Sequence, residues 1–358
     1  MFCDIYRGKR VLITGQTGFK GSWLAFWLVK LGAIVLGISR HPPTLPCHYE
    51  ILGMDKLIAD DIRADLRYGR DMREIKQVLD DFRPEIVFHL AAQAIVAKTF
   101  GDPQGTFEGN IMSALNILDI CRFCKSVKVI VMITTDKVYE EQSFDRGYNE
   151  YDTLGGLDPY SASKVCVEII SKCYQTQYFP MIVTARAGNV IGGGDWAYKR
   201  LIPDIVRAAI RGEKVEIHTP YAVRPWQHVL EPLTGYLMLG ERLLMGQKEF
   251  AGAWNFGPDG DLTVLNVMEI AKECWPKIQF KIEHQEHHPS MIRLLKIDSS
   301  KARNQLGWFP VWDVKEAIRK TILWYRYYYE NNNVSTDADI YHYCIDFNRR
   351  NGERDDAP

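Results

Sequence analysis

Val11-Leu12-Ile13-Thr14-Gly15-Gln16-Thr17-Gly18-Phe19-Lys20-Gly21 is the stretch whose reading decides the fold. A short apolar run ends in glycine. A helical stretch follows from about Gly21 to Leu31, with Gly32 placed to stop it. Of three glycines in such a turn, one permits the tight reversal, one lets the backbone approach a pyrophosphate, and one lets helix and strand pack closely. The helix start then directs free N–H groups and the positive end of its dipole at the anion. Between a strand and a helix, Gly15, Thr17, Gly18, Phe19, Lys20 and Gly21 therefore read as a dinucleotide cradle.

Outward from this loop, apolar runs at Ile34–Ile38, Ile86–Leu90 and Val129–Ile133 alternate with helical stretches at about 71–82 and 102–124. That rhythm predicts an α/β fold, a doubly wound parallel sheet of Rossmann type covered on both faces. An acid at the end of the second strand would accept the ribose 2′-hydroxyl and indicate NAD. Gly37-Ile38-Ser39-Arg40-His41 stands there instead. Arg40 either meets a 2′-phosphate, indicating NADP, or is a solvated arginine. Asp61 and Ile62, past the next strand, are placed to meet the adenine, with Asp61 accepting from its amino group. Leu90, Ala91 and Ala92 close another strand on the cofactor side, and Gln93 after them is in reach of sugar or cofactor.

After Gly192-Gly193-Gly194, proline recurs and the βαβ rhythm is lost. The expected division is a dinucleotide-binding domain over 1–188 with later returns at about 222–258, a smaller interleaved substrate domain over 189–330, and a C-terminal tail over 331–358. The aromatic run Trp324–Tyr329 reads as a helix packing on the body. The chain has 358 residues, net charge -1, 25% charged and 46% hydrophobic residues, so it has no basic field to hold nucleic acid. No apolar run has the length of a membrane span. Eight scattered cysteines and a start that reads as neither signal nor transit peptide suggest a reducing, cytoplasmic setting. Cys121 and Cys124 form a lone C-x-x-C, half a zinc site at best, and read as core thiols. His284, His287 and His288 resemble a cluster but read as a solvated loop, and no metal is expected.

Tyr160-Ser161-Ala162-Ser163-Lys164 puts Tyr160 and Lys164 on one helix face. An ammonium beside a phenol favours phenolate, which can take a proton from a substrate hydroxyl as hydride leaves the same carbon. Thr135, Asp136 and Lys137 lie at the end of the 129–133 strand, where open α/β sheets bind ligands. Thr135 can hydrogen-bond the reacting oxygen. Asp136 brings a carboxyl group and Lys137 an ammonium.

Together these motifs resemble the extended short-chain dehydrogenase/reductase superfamily from about Gly8 to Trp324. Thr14–Leu24, Thr135-Asp136-Lys137, Arg186–Trp196 and Arg224–Pro232 are similar, more narrowly, to the CDP-glucose 4,6-dehydratase family, which resembles this chain in having Asp-Lys where most sugar-nucleotide dehydratases have Asp-Glu. The resemblance implies a lyase of deoxysugar and surface polysaccharide synthesis with an internally recycled NAD. Tyr160 takes the O4 proton as C4 is oxidised, Asp136 protonates the departing O6, and hydride returns to C6. Lys137 serves as C5 base only if neutral. Arg186, Asn189 and Arg224 are implied at the pyrophosphate, though each also suits a structural ion pair. Lys199, Arg200 and Leu201 are implied over the nucleotide base, and His228 belongs to the last motif. The resemblance also implies a homodimer or dimer of dimers, paired through the helices near 102–124 and 161–178. Action on another nucleotide hexose, a GDP- or UDP-sugar, and C4-epimerisation are the competing readings.

Overall fold

The apolar run of the glycine stretch becomes β1 (Arg10–Thr14), and the residues before each further turn become β2 (Ile34–Ser39), β3 (Asp60–Arg63), β4 (Ile86–His89), β5 (Val129–Ile133) and β6 (Ile182–Ala187). With Gly252–Phe256 they form one seven-stranded sheet in the order Gly252–Phe256, β6, β5, β4, β1, β2, β3. Every neighbouring pair is parallel. The computed structural model describes residues 2–142, 146–283 and 296–352.

β4 and β5 are buried along their whole length, as strands covered on both faces must be. Side chains alternate between the faces. Val87 joins Leu12, Leu36, Leu79, Ile117, Ile130 and Val167 in a core under three helices, Gly69–Phe82, Ser113–Phe123 and Pro159–Gln177. Ile86 and Phe88 point the other way, toward Gly240 in the helix Leu230–Leu244. Cys121 and Cys124 are buried in the first of these cores.

β3, with the sequence Asp-Asp-Ile-Arg, is an edge strand of half-exposed residues. Its polarity hides it from an apolar-run reading, and Asp61 and Ile62 lie inside it rather than past it. The helix expected over 102–124 is three consecutive pieces, Pro103–Phe107, a π-wound turn Glu108–Met112, and Ser113–Phe123.

The chain divides into two compact units. The first holds Met1–Ala187, Leu233–Phe256 and Ile297–Trp308, and the second holds Gly188–Pro232, Gly257–Lys296 and Phe309–Pro358. The return expected from about 222 thus begins at Leu233, and Ile297–Trp308 is a second return that no sequence pattern announces. The second unit is built on helices Leu201–Arg211, Val264–Cys274, Val314–Asn331 and Thr336–Arg350, with two-stranded ladders of only two to four residues per strand. Trp324 and Tyr325 are buried in it.

The expected tail over 331–358 is corrected by the helix Thr336–Arg350, which buries Ile340, Tyr343, Cys344 and Phe347. Tyr343 donates to the buried Glu231 carboxylate at 2.7 Å, and Trp324 donates to Thr336 Oγ1 at 2.9 Å. The backbone N–H groups of Val311 and Trp312 complete the Glu231 site at 2.9 and 2.8 Å.

Candidate active site

The sheet's strand order reverses between β1 and β4, and the loops that follow these two strands flank the crevice in which such sheets bind ligands. Gly15, at φ +81, makes the turn after β1. A Cβ on it would lie 2.7 Å from the backbone nitrogen of Ala91, so the loops after β1 and β4 are in van der Waals contact. A Cβ on Gly21 would lie 2.1 Å from the carbonyl oxygen of Gly15. α1 (Phe19–Lys30) can therefore start hard against the strand end. Gly18 is its N-cap, and no side chain caps the first turn. A close backbone approach, an uncapped helix start and no Cβ in the way fit a dinucleotide pyrophosphate.

At the far end of this cradle, Thr17 donates to the carbonyl of Arg40 at 3.2 Å and lies 3.0 Å from Ser39 Oγ. Gln16 donates to Asp61 at 2.8 Å, and Arg63 donates to Asp61 at 2.6 Å and to Ser39 Oγ at 3.1 Å. Gln16 is buried because Gly37 leaves it space. The side chain of Arg40 is exposed. Gln16, Ser39 and Arg63 escaped the sequence reading, since none belongs to the glycine spacing. Arg63 is recognisable only once β3 is known to pair with β2.

Across the crevice, the N–H groups of Leu90 and Ala91 donate to the carbonyl and hydroxyl of Thr14 at 2.9 and 3.3 Å. Ala92 follows, and Gln93 donates through its backbone N–H to Asn110 Oδ1 at 2.7 Å. Asn110 sits in the π-wound turn and donates to Ser163 at 2.8 Å, while Ser163 donates to the carbonyl of Tyr160 at 2.7 Å. One buried asparagine thus ties the β4 loop to the tyrosine helix. A polar residue within an otherwise helical stretch was its one sequence signal.

Asp158 caps that helix reciprocally with Ser161, Pro159 fixes its first turn, and Tyr160 follows at once. Lys164, one turn on, is buried and donates to the carbonyl of Ile133 at 2.9 Å. Burial pushes its ammonium down to about 8, with Glu168 opposing. His89, in β4, is pushed down to about 3 by burial and then by the Lys164 charge, so it stays neutral.

Asp136 is 4% exposed. Burial raises its carboxyl above the usual carboxylate range, against the Thr135 hydroxyl and the charges of Lys137 and Lys20. Thr135 donates to it at 3.0 Å. Lys137 is exposed. Tyr236, which the sequence reading missed, is fully buried, and burial raises its hydroxyl above the ordinary phenol range.

Two expectations are corrected. Arg186 is not an open phosphate ligand. It lies buried in β6, donating to both Glu168 oxygens at 3.0 and 2.9 Å and to Tyr139 at 2.9 Å. His228 is buried in the second unit, edge-on to Trp312, and burial pushes it down to about 3. The remaining candidates are more open. Asn189 and Lys199 take positive φ values of 47 and 59, and Lys199 is exposed. Arg200 donates to Asp195 at 2.8 Å just before Leu201 opens its helix. Arg224 is partly exposed on a two-residue strand. His284, His287 and His288 lie outside the described residues.

The family profile described as GDP-mannose 4,6 dehydratase matches residues 12–321. The CDP-glucose 4,6-dehydratase of Salmonella typhimurium is 40% identical over 334 residues, 90% of this chain and 92% of that protein. The dTDP-glucose 4,6-dehydratase of the same organism is 25% identical, covering 88% of this chain and 92% of its own. Among solved structures, UDP-glucose 4-epimerase of Thermotoga maritima with UDP-glucose matches at TM-score 0.76 and 22% identity, over 90% of this chain and 100% of that one. The Brucella ovis UDP-glucose 4-epimerase in complex with NAD matches at TM-score 0.76 and 20% identity, over 88% and 98%. At such identity these structures speak to the fold alone.

Proposed function

The chain belongs to the GDP-mannose 4,6 dehydratase family, and on that premise we propose that it dehydrates CDP-D-glucose to CDP-4-dehydro-6-deoxy-D-glucose. The observation that carries the dehydratase reading is the buried Asp136 carboxyl, held by Thr135 and raised by burial. A carboxyl whose proton is held more tightly by burial is suited to giving that proton to a departing hydroxyl, and an epimerase would have no use for one. The CDP-glucose reading is supported by the named activity of the Salmonella relative.

The bound nicotinamide supplies a hydride acceptor at the sugar C4 and a hydride donor at C6, and ends each cycle unchanged. Gly15, Thr17, Gly18, Phe19, Lys20 and Gly21 would hold its pyrophosphate side, and Leu90, Ala91, Ala92 and Asp61 would line the rest. Tyr160 removes the O4 proton, with Lys164 stabilising the phenolate. Asp136 protonates O6, which leaves as water, and Lys137, in its neutral amine form, is assigned the C5 proton. Asn189, Arg224, Lys199, Arg200 and Leu201 are assigned to the nucleotide diphosphate and its base, and Gln93 to the sugar.

NAD is the proposed cofactor. The loop touches the carbonyl of Arg40 and not its side chain, while Arg63 is already paired with the Asp61 carboxylate. Binding measurements with both cofactors on wild type and Arg40→Ala decide between NAD and NADP. A homodimer through the helices Ser113–Phe123 and Pro159–Gln177 is supported by the exposed Phe123, Ile169 and Tyr178. A monomeric mass at micromolar concentration would overturn it.

A panel of nucleoside-diphosphate hexoses, followed by product mass, tests the reaction. CDP-glucose should lose water faster than the others. An isomeric product of unchanged mass sinks the dehydratase reading, and preference for another nucleotide sinks the substrate. Steady accumulation of reduced cofactor sinks its internal recycling.

A further inference from the structure

The turn that carries Thr135, Asp136 and Lys137 is tied down at both ends by one buried ion pair. Glu168 lies on the helix of Tyr160 and Lys164, one turn beyond Lys164. Arg186 lies in β6, and its guanidinium meets the Glu168 carboxylate twice, from Nε at 3.0 Å and from Nη2 at 2.9 Å. Each carboxylate oxygen accepts one further bond. Thr134 donates to Oε1 at 2.5 Å, and Thr184 of β6 donates to Oε2 at 2.7 Å. Thr134 stands between the end of β5 and Thr135. The remaining Arg186 nitrogen, Nη1, donates to the Tyr139 hydroxyl at 2.9 Å, and Tyr139 directly follows the turn Asp136–Val138. Tyr139 in turn donates to Asn255 Oδ1 at 2.6 Å, and Asn255 donates to the carbonyls of Tyr148 and Asp298 at 2.9 and 3.1 Å. Glu168, Arg186, Thr134 and Tyr139 are each no more than 4% exposed.

A buried ion pair is a poor source of net stability, since desolvation offsets the attraction. What a fully satisfied buried network does supply is rigidity and one fixed arrangement. Here that arrangement joins the two halves of the site. The Ile133 carbonyl accepts from Lys164 at 2.9 Å and the Thr134 hydroxyl donates to Glu168, so two successive residues at the end of β5 are fastened to successive turns of the tyrosine helix. We propose that Glu168 and Arg186 are positioning residues: their ion pair, holding Thr134 on one side and Tyr139 on the other, fixes Thr135 and Asp136 relative to Tyr160 and Lys164. A displacement of about 1 Å at a reacting group can cost about 10²-fold in rate, so the offset between the turn and the helix is a quantity the enzyme must control. A pair that only joined β6 to the helix would need Thr184 but neither Thr134 nor Tyr139.

The inference rests on the proposed roles of Tyr160 and Asp136, and its test compares two hydroxyls on one carboxylate. Thr134→Val and Thr184→Val each delete one donor to Glu168, keep the side-chain shape, and leave in place both the Arg186 bonds and the Glu168 charge that acts on Lys164. Both should lower the thermal midpoint by similar amounts. In turnover of CDP-glucose by the holoenzyme, Thr134→Val should lower kcat by about 10- to 100-fold with little change in KM. Thr184→Val should leave kcat within about twofold of wild type, and Thr134→Ser should restore most of the rate. Tyr139→Phe, which frees the other end of the turn, should also lower kcat and spare KM. Equal kcat in the two valine variants overturns the inference. If Thr134→Val does not fold, Tyr139→Phe is compared with Thr184→Val in its place. Amide exchange read by mass spectrometry needs no turnover. The peptide over 135–139 should exchange about tenfold faster in Thr134→Val than in wild type, and no faster in Thr184→Val. Unmoved exchange of that peptide in the folded variant also overturns the inference. Failure of wild type to dehydrate CDP-glucose overturns the reading of function instead, and the exchange still decides whether the turn is held.

Discussion

In the first unit the reactive side chains ride on regular elements whose starts are fixed by backbone geometry. In the second, the candidate phosphate and base ligands ride on turns and two-residue strands. Tyr160 and Lys164 follow a reciprocal cap and a proline, and Asp136 follows a fully buried strand. Arg224 and Arg200, by contrast, lie on a two-residue strand and just before a helix, and bond to groups within five residues in the chain. Such a difference separates positions that must hold an atom to a fraction of an ångström from positions that attract a charge. Substitutions in the first unit should strike the chemical step, and those in the second should strike binding.

Tyr160→Phe has the largest expected effect: neither cofactor reduction nor product should be seen in a single-turnover mixture. Next, Asp136→Asn should slow elimination by about 10²–10⁴-fold, or roughly 3–5 kcal/mol of barrier, while C4 oxidation survives. A reduced-nicotinamide signal should therefore appear and persist. Loss of that signal in the Asn variant, or unchanged product formation, breaks the role given to Asp136. Lys137→Ala stalling at the same stage would support it as the C5 base.

Glu168→Ala probes chiefly the frame, although Glu168 also acts on the Lys164 ammonium. It leaves the Arg186 guanidinium buried without its carboxylate, which costs about 3–5 kcal/mol and should lower the urea midpoint. Arg200→Ala, whose ion pair is partly exposed, should cost no more than about 1 kcal/mol of stability and raise KM with kcat nearly unchanged. If Arg200→Ala instead reduces kcat and leaves KM alone, the contrast between the units fails.

Lys164 adds a pH dependence. Its folded value is depressed to about 8 by burial, so between about pH 8 and the ordinary lysine range the unfolded chain holds a proton that the folded chain has released. This group's contribution to stability therefore rises with pH across that window. At pH 7 its burial costs up to about 3 kcal/mol. Lys164→Met should abolish turnover yet raise the unfolding midpoint at pH 7, and the gain should shrink above pH 8.

The glycine loop, the tyrosine–lysine pair and β5 were legible because each depends on local spacing. An edge strand of Asp-Asp-Ile-Arg carries no apolar run, so β3 was not, and with it Arg63. Arg186 and His228 were misjudged for one reason: residue type announces charge or hydrogen bonding but not which way a side chain faces. Arg186 faces Glu168, eighteen residues earlier on another element, and only packing reveals it. Asn110 was hard to see for the converse reason, since it sits in no motif and acquires its partners by tertiary approach.

The helix Thr336–Arg350 carries a practical consequence for anyone trimming or fusing this protein. Ending the chain at Ser335 would remove Tyr343 from Glu231 and Thr336 from Trp324, costing a buried carboxylate its side-chain donor and a buried indole N–H an acceptor. The segment behaves as a plug whose seat is polar, so shortened forms should be prone to misfold or clump in the second unit while the cradle after β1 keeps its shape. A reporter is better attached beyond Arg350, with a linker, than substituted for the helix.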